Sequence, residues 1–182
     1  MLFVQLFDLL PDLNGRALLD VGSYTGLSGL VMHRFLAPSK LHLVEPQKVM
    51  QDPLRRTIKA NLKTSQVVLH DCIIDDGTSA MTRASSRPDR LSEATYLRRD
   101  GGKLQSATID GLGIKNLGLI HLDTPGQKIY ALRGAEKVLE NDRPIVVANL
   151  AGRDIAEQRE FMEARNYEYV RAGKHAAIFL PK

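Results

Sequence analysis

A chain of 182 residues, 43% hydrophobic and 25% charged, has the make-up of one soluble globular domain, taken here as residues 1–182, and is long enough to bury a core. Its formal charge of +4 is mild and no apolar run approaches the roughly 20 residues of a membrane span, so a membrane protein is set aside and a nucleic-acid binder disfavoured. The single cysteine, Cys72, excludes an internal disulfide and makes a reducing, cytoplasmic setting the expectation.

The opening MLFVQLFDLLPDLNG is apolar but lacks a basic start and is interrupted by Asp8, so it reads as an amphipathic helix rather than a signal peptide. Arg16–Gly22 (RALLDVG) is a short buried strand. LSGLVMHRFL follows, with Leu27, Leu30, Val31 and Phe35 spaced as one helix face and Pro38 just past its end. Lys40–Pro46 is a second strand. PLRRTIKANLK is a second helix, with Leu54, Ile58 and Leu62 in register. Gln66–Ile74 is a third strand, closed by the turn at Asp75, Asp76 and Gly77.

From Thr78 to about Gln105 the chain turns to Ser, Arg and Gly, a surface excursion with room for a short hairpin. Six cations against three acids between Arg83 and Lys103 give it a local charge of +3, with Arg98 and Arg99 the best placed to meet an anionic or polyhydroxylated acceptor. A solvated loop is the plainer reading of the same residues. Order returns with a fourth strand, Leu117–Asp123. The helix after it opens with a Thr-x-x-Gln capping box, Thr124 to Gln127, with Pro125 in its first position. RPIVVANL is a fifth strand, DIAEQREFMEARN a helix with Asp154 and Glu157 spaced as a second capping box, and YEYVRAG with HAAIFLP a closing hairpin.

Five alternations with continuous apolar strands predict a doubly wound α/β fold, a parallel sheet with helices on both faces. Such sheets bind ligands beyond the carboxyl ends of their strands. The first turn, Gly22-Ser23-Tyr24-Thr25-Gly26, lacks the G-x-G-x-x-G spacing of a dinucleotide site. Asp20 ends the first strand, where it can meet a ligand's amino group. Glu45 ends the second, where a carboxylate can accept from both hydroxyls of a ribose. Asp71 and Cys72 end the third, beside an adenine edge. An amino group, a ribose and an adenine without a pyrophosphate describe S-adenosyl-L-methionine, with Asp20, Gly22, Ser23, Tyr24, Gly26, Glu45, Asp71 and Cys72 as its candidate residues. For any one of these acids a solvated strand end is the plainer reading.

DVGSYTGLSGL, HLVEP, the run from TIDGLGIKNLGLIHLDTPGQ to VVANL, and NYEYVRAGKHAAIFLP together resemble the FkbM family of S-adenosylmethionine-dependent methyltransferases, from about Ala17 to Pro181. Ile120, Asp123, Gly126, Leu132, Gly134, Ala135, Arg143 and Pro144 match that family's second-half pattern. His121 replaces its usual Lys, Pro125 and Lys128 its two acids after the strand, Asn149 its strand-end Glu, and Tyr24 the common Asn of the first turn. The resemblance implies a class I, Rossmann-like sheet in the order 3-2-1-4-5-7-6 and O-methylation of a small molecule or sugar.

Asp123 is the candidate for orienting the acceptor or taking its proton, against a role capping the next helix. His121 is the second catalytic candidate, against a role as a core histidine. His33, His42, His70 and His175 show no metal-ligand spacing, so no metal is expected. The missing acids leave a non-catalytic, methyltransferase-like protein as the alternative, and a nicotinamide oxidoreductase as a third reading that the first turn disfavours. The sequence leaves the oligomeric state open.

Overall fold

A computed structural model describes residues 10–78, 81–85, 95–98, 105–149, 155–172 and 176–182, with the backbone alone at 81–85, 95–98, 171 and 172. The first nine residues of the expected N-terminal helix, most of the excursion, His175 and the capping residue Asp154 lie outside the described residues; residues 10–15, the rest of that expected helix, are bend, turn and irregular chain rather than helix.

Seven strands form the main sheet: β1 (Ala17–Val21), β2 (Lys40–Val44), β3 (Val67–His70), β4 (Leu117–Leu122), β5 (Ile145–Asn149), β6 (Tyr167–Ala172) and β7 (Ala176–Pro181). Their order is β3-β2-β1-β4-β5-β7-β6. The first five pair in parallel, and β7 runs antiparallel between β5 and β6. This is the expected order, closing hairpin included. Within the excursion, Met81–Ser85 pairs antiparallel with Thr95–Arg98, the short hairpin that the sequence leaves room for. Among the described residues no helix is long and apolar enough to cross a membrane.

Neighbouring strand residues point to opposite faces, so the sheet carries a core on each side. Leu18, Leu41, Leu43, Leu119 and Val147 form one with α1 (Leu27–Leu36) and α2 (Lys48–Asn61). Leu19, Val21, Val44, Ile120, Leu122, Val146 and Ala148 form the other with α3 (Lys128–Arg133), α4 (Glu136–Asn141) and α5 (Ile155–Glu163). Each fully buried leucine or valine contributes roughly 1.5–3 kcal/mol of transfer free energy, so the paired cores dominate the stability.

Five local expectations are corrected. α1 buries Gly29, Met32 and Leu36, while Leu27 and Phe35 stand 64% and 60% exposed. The predicted face is wrong because Gly29 lets the helix backbone come down on the sheet: a Cβ there would sit 2.5 Å from Leu43 Cδ2. Counting apolar side chains overlooks a glycine that packs by having none. α2 starts at Lys48, before Pro53 rather than at it. The third strand stops at His70, and Ile73–Ile74 leaves the main sheet to pair with Ser106–Ala107.

The expected capping box after β4 does not form. The turn at Thr124–Gly126 precedes a helix that begins at Lys128, with no side-chain cap. That helix also breaks at Gly134 into α3 and α4. The break follows from packing: a Cβ on Gly134 would lie 2.3 Å from the Asp75 carbonyl oxygen, and the Gly134 carbonyl accepts the Asp110 amide at 2.9 Å.

Two histidine contacts within the sheet pull in opposite electrostatic directions. His42 on β2 and His70 on β3 are 3.0 Å apart between Nδ1 and Nε2, with rings stacked at 5.3 Å. Burial, then the neighbouring charges of His70 and Lys40, hold His42 down to about 4. His121 on β4 lies beside Asp20 on β1, with Nδ1 2.7 Å from Asp20 Oδ1. Burial opposes charge on His121, but its hydrogen bond to Asp20 and the charges of Asp20 and Asp123 outweigh it and raise the pKa.

Two expectations follow from these contacts. Gly134→Ala forces a methyl against backbone and should cost about 1–3 kcal/mol in urea unfolding; an unchanged midpoint would show that the α3–α4 break is not set by that contact. For His42 the unfolded chain takes up a proton below about 6.5 while the folded chain does not until about 4, so stability should fall by up to about 3 kcal/mol as pH drops through that window. For His121 the sign reverses: its stabilisation is complete below 6.5 and is lost as pH rises through the raised folded value. His42→Phe should flatten the acid limb and His121→Gln the alkaline limb of a stability–pH curve.

Candidate functional site

A cleft opens at the carboxyl ends of β1, β2 and β4, where the strand order reverses. Gly22 and Tyr24 after β1, Glu45 to Gln47 after β2, Cys72 to Ile74 after β3, and Asp123, Thr124, Pro125 and Gln127 after β4 line it, over a floor of Val21 and Val44. Its enclosed cavity is narrow, about 60 Å³, beneath a wider open mouth. Five of the ten predicted residues form its wall: Gly22, Tyr24, Glu45, Cys72 and Asp123. The other five stand elsewhere.

The glycine turn is built from backbone requirements. Gly22 sits at φ +88°, and a Cβ there would be 2.5 Å from the Asp123 carbonyl oxygen. Its openness therefore serves the end of β4 directly, and a ligand only in so far as that contact shapes the cleft. Ser23 is buried: its hydroxyl donates to the Asp20 carbonyl at 2.8 Å and accepts the Val44 amide at 3.1 Å, stitching β1 to β2. Gly26 caps α1 at φ +84°, where a Cβ would meet Leu54 Cδ1 at 2.7 Å. Tyr24 adopts φ +50°, a left-handed conformation in which a bulky residue costs roughly 1 kcal/mol or more. Asn tolerates that conformation, which gives a physical reason for the Asn that the FkbM pattern carries there.

Glu45 is 3% exposed and works as a clamp. One carboxylate oxygen accepts the Tyr24 amide and the other the Gln47 amide, each at 2.8 Å. Burial raises its pKa, and the two backbone hydrogen bonds offset only part of that rise. Asp71 is exposed and is not part of the cleft wall, while Cys72 is. Burial, with the charge of Asp71, pushes the Cys72 thiol up to about 11, so it is a weakly reactive wall residue.

On the far side Asp123 is half-buried, and its Oδ1 accepts the Asn149 side-chain amide at 2.9 Å. A neutral donor at the end of β5 thus braces the one carboxylate that β4 brings to the cleft. Asp20 is fully buried on the α1 side of the sheet, two residues after Leu18 and on the same face, where it holds His121. Neither lies on the cleft wall. Thr124 and Gln47 line the cleft although the sequence does not mark them as site residues. Thr124 reads in sequence as a cap, which does not form, and nothing local marks Gln47, which the Glu45 clamp carries into place.

No family model matches the chain, and no curated protein matches it in sequence. Among solved structures it is similar to an FkbM methyltransferase from Methylobacillus flagellatus KT (TM-score 0.67, 14% identity), over 93% of this chain and 44% of that one. The chain thus spans less than half the length of that protein. A precorrin-6y C5,15-methyltransferase from Geobacter metallireducens GS-15 matches at TM-score 0.58 and 11% identity, over 99% and 86%. TrmK from M. capricolum, solved with S-adenosyl-homocysteine, matches at TM-score 0.51 and 10% identity, over 98% and 66%. At these identities the likeness is one of fold. The chain has the Rossmann-like fold of class I methyltransferases.

Proposed function

We propose that the chain is an S-adenosylmethionine-dependent methyltransferase of the FkbM type, acting on a hydroxyl of a small molecule or sugar. The observation that carries the reading is Glu45, a buried carboxylate at the end of β2 that faces a cleft at the strand-order reversal. The Tyr24 and Gln47 backbone amides and the Gln47 side chain take three of the acceptor sites of the Glu45 carboxylate, which leaves it room to accept a ribose hydroxyl. Cys72, Ile73 and Ile74 offer an apolar edge for the base. The solved neighbour holding S-adenosyl-homocysteine shares this fold, which supports the same class of cofactor here.

When bound, the cofactor supplies a methyl group on a sulfonium and a thioether leaving group. The protein's share is alignment and proton handling. Asp123, braced by Asn149, presents a carboxylate to orient the acceptor hydroxyl and to accept its proton as the carbon–oxygen bond forms. His121 is absent from the cleft wall, and its contact with Asp20 supports a role in the core beneath it. Arg98 and Arg99 are kept as acceptor contacts on the charge of their segment. An inert Cys72 suits a reducing, cytoplasmic setting. The narrowness of the cavity, with Tyr24 in its wall, favours as second reading a degenerate protein that holds the fold without transfer.

Calorimetry with S-adenosylhomocysteine separates these readings, with NAD as control. The parent should bind S-adenosylhomocysteine, and Glu45→Ala should weaken it by about 1.5–3 kcal/mol, the worth of a charge-assisted hydrogen bond. Equal affinity in a folded Glu45→Ala protein would take Glu45 out of the site, and a parent silent to S-adenosylhomocysteine would sink the cofactor reading. A screen of labelled S-adenosylmethionine against sugars and small hydroxylated metabolites should then show transfer that Asp123→Asn abolishes. Binding without transfer to any acceptor is the outcome of the degenerate reading.

A further inference from the structure

Thr124 is left with a hydroxyl that its own fold does not use. As the first residue of a capping box its side chain would bond the amide of Gln127. In the structure that amide goes instead to the Thr124 backbone carbonyl, at 3.3 Å, and the helix begins later without a side-chain cap. Among the described residues the Thr124 Oγ1 is buried with no hydrogen-bond partner, and Thr124 lines the cleft. A buried hydroxyl without a partner is destabilising, and native proteins leave few of them.

Its position indicates what the hydroxyl is for. Thr124 follows β4 and packs against the glycine turn of β1, its Cγ2 3.1 Å from where a Cβ on Gly22 would stand. β4 and β2 flank β1 on opposite sides. A ligand whose ribose is held at Glu45 after β2 crosses β1 over Gly22 and reaches β4 at Thr124. The base lies the other way, toward Cys72 to Ile74. The group that arrives at Thr124 is therefore the ligand's third part, a zwitterionic amino acid, whose carboxylate can accept the hydroxyl proton and whose ammonium can donate to the hydroxyl oxygen.

We propose that Thr124 is a specificity-determining residue of the cleft, its hydroxyl hydrogen-bonding the amino-acid end of the ligand opposite the ribose. This rests on the cofactor reading above. A group unpaired in the free protein and paired in the complex makes affinity sensitive to a single atom.

Thr124→Val and Thr124→Ser test it. Valine keeps the shape and removes the hydroxyl; serine keeps the hydroxyl. By calorimetry Thr124→Val should bind S-adenosylhomocysteine about five- to tenfold more weakly than the parent, and Thr124→Ser should stay within about twofold. Free of ligand, Thr124→Val should melt no lower than the parent, because it buries a methyl where an unpaired hydroxyl stood. Equal affinity of parent and Thr124→Val would overturn the proposal alone, leaving the cofactor reading intact. So would a lower melting temperature of ligand-free Thr124→Val, since it would show that the hydroxyl serves the fold. A parent that does not bind S-adenosylhomocysteine overturns the cofactor reading, and this proposal falls with it.

Discussion

The cleft depends on one buried carboxylate. Glu45 closes β2 and spends both oxygens on backbone amides, Tyr24 in the turn after β1 and Gln47 ahead of α2. The two loops that form one wall are thereby set relative to each other by charge-assisted bonds in a dry environment, where such bonds are strong and their loss is costly. The same clamp holds Tyr24 in a left-handed conformation that a tyrosine does not choose for itself. Gln51 adds its side-chain amide to the Glu45 carbonyl, tying the first turns of α2 to the same point. Without Glu45 the turn would still be held to β2 by the Gly22 and Ser23 amides on the Val44 carbonyl, but its direct tie to the start of α2 would be lost.

A second constraint sets the opposite wall. Gly22 touches the carbonyl of Asp123, so the turn after β1 and the end of β4 meet backbone to backbone. That contact, together with the amide of Asp123 donating to Val21 at 2.9 Å, brings Asp123 to the rim, where Asn149 reaches it from β5. The acids of the strand ends are thus sorted by face and by neighbour. Asp20, one of them in the sequence, turns under α1 and pairs with His121 in the core. Its second oxygen stays buried without a partner among the described residues, and Gly29 leaves the space it occupies. Glu45 and Asp123 reach the cleft, and Asp71 reaches solvent.

The degree to which the site was legible follows from this sorting. Glu45 and Asp123 could be read because a carboxylate following an apolar strand in a doubly wound sheet has few places to go, and the carboxyl-end rule names one of them. Asp20 obeys the same rule in sequence but sits inside its strand, where alternation decides the face. His121 reads as a candidate base from its neutral-range chemistry, yet its partner lies 101 residues earlier. Ser23 looks like a ligand residue because it stands in the glycine turn, but its hydroxyl bridges two strands.

What the sequence determined by itself is the alternation of strands and helices, the closing hairpin and the positions of the turns. These rest on local periodicity and on backbone chemistry that a few neighbouring residues carry. What only the tertiary structure decided is which glycines are there for packing, which helix face is buried, and where a helix breaks. Gly29, Gly134 and Gly22 each meet a backbone or side chain from a distant element, at Leu43, Asp75 and Asp123. α1 buries its glycine face and exposes Leu27 because the sheet rewards close approach as well as apolar area. Thr124 shows the same division: its sequence spells a cap, and the contact between Gly22 and the end of β4 places it in the wall of the cleft. Periodicity is a property of neighbours along the chain, and contact is a property of neighbours in space.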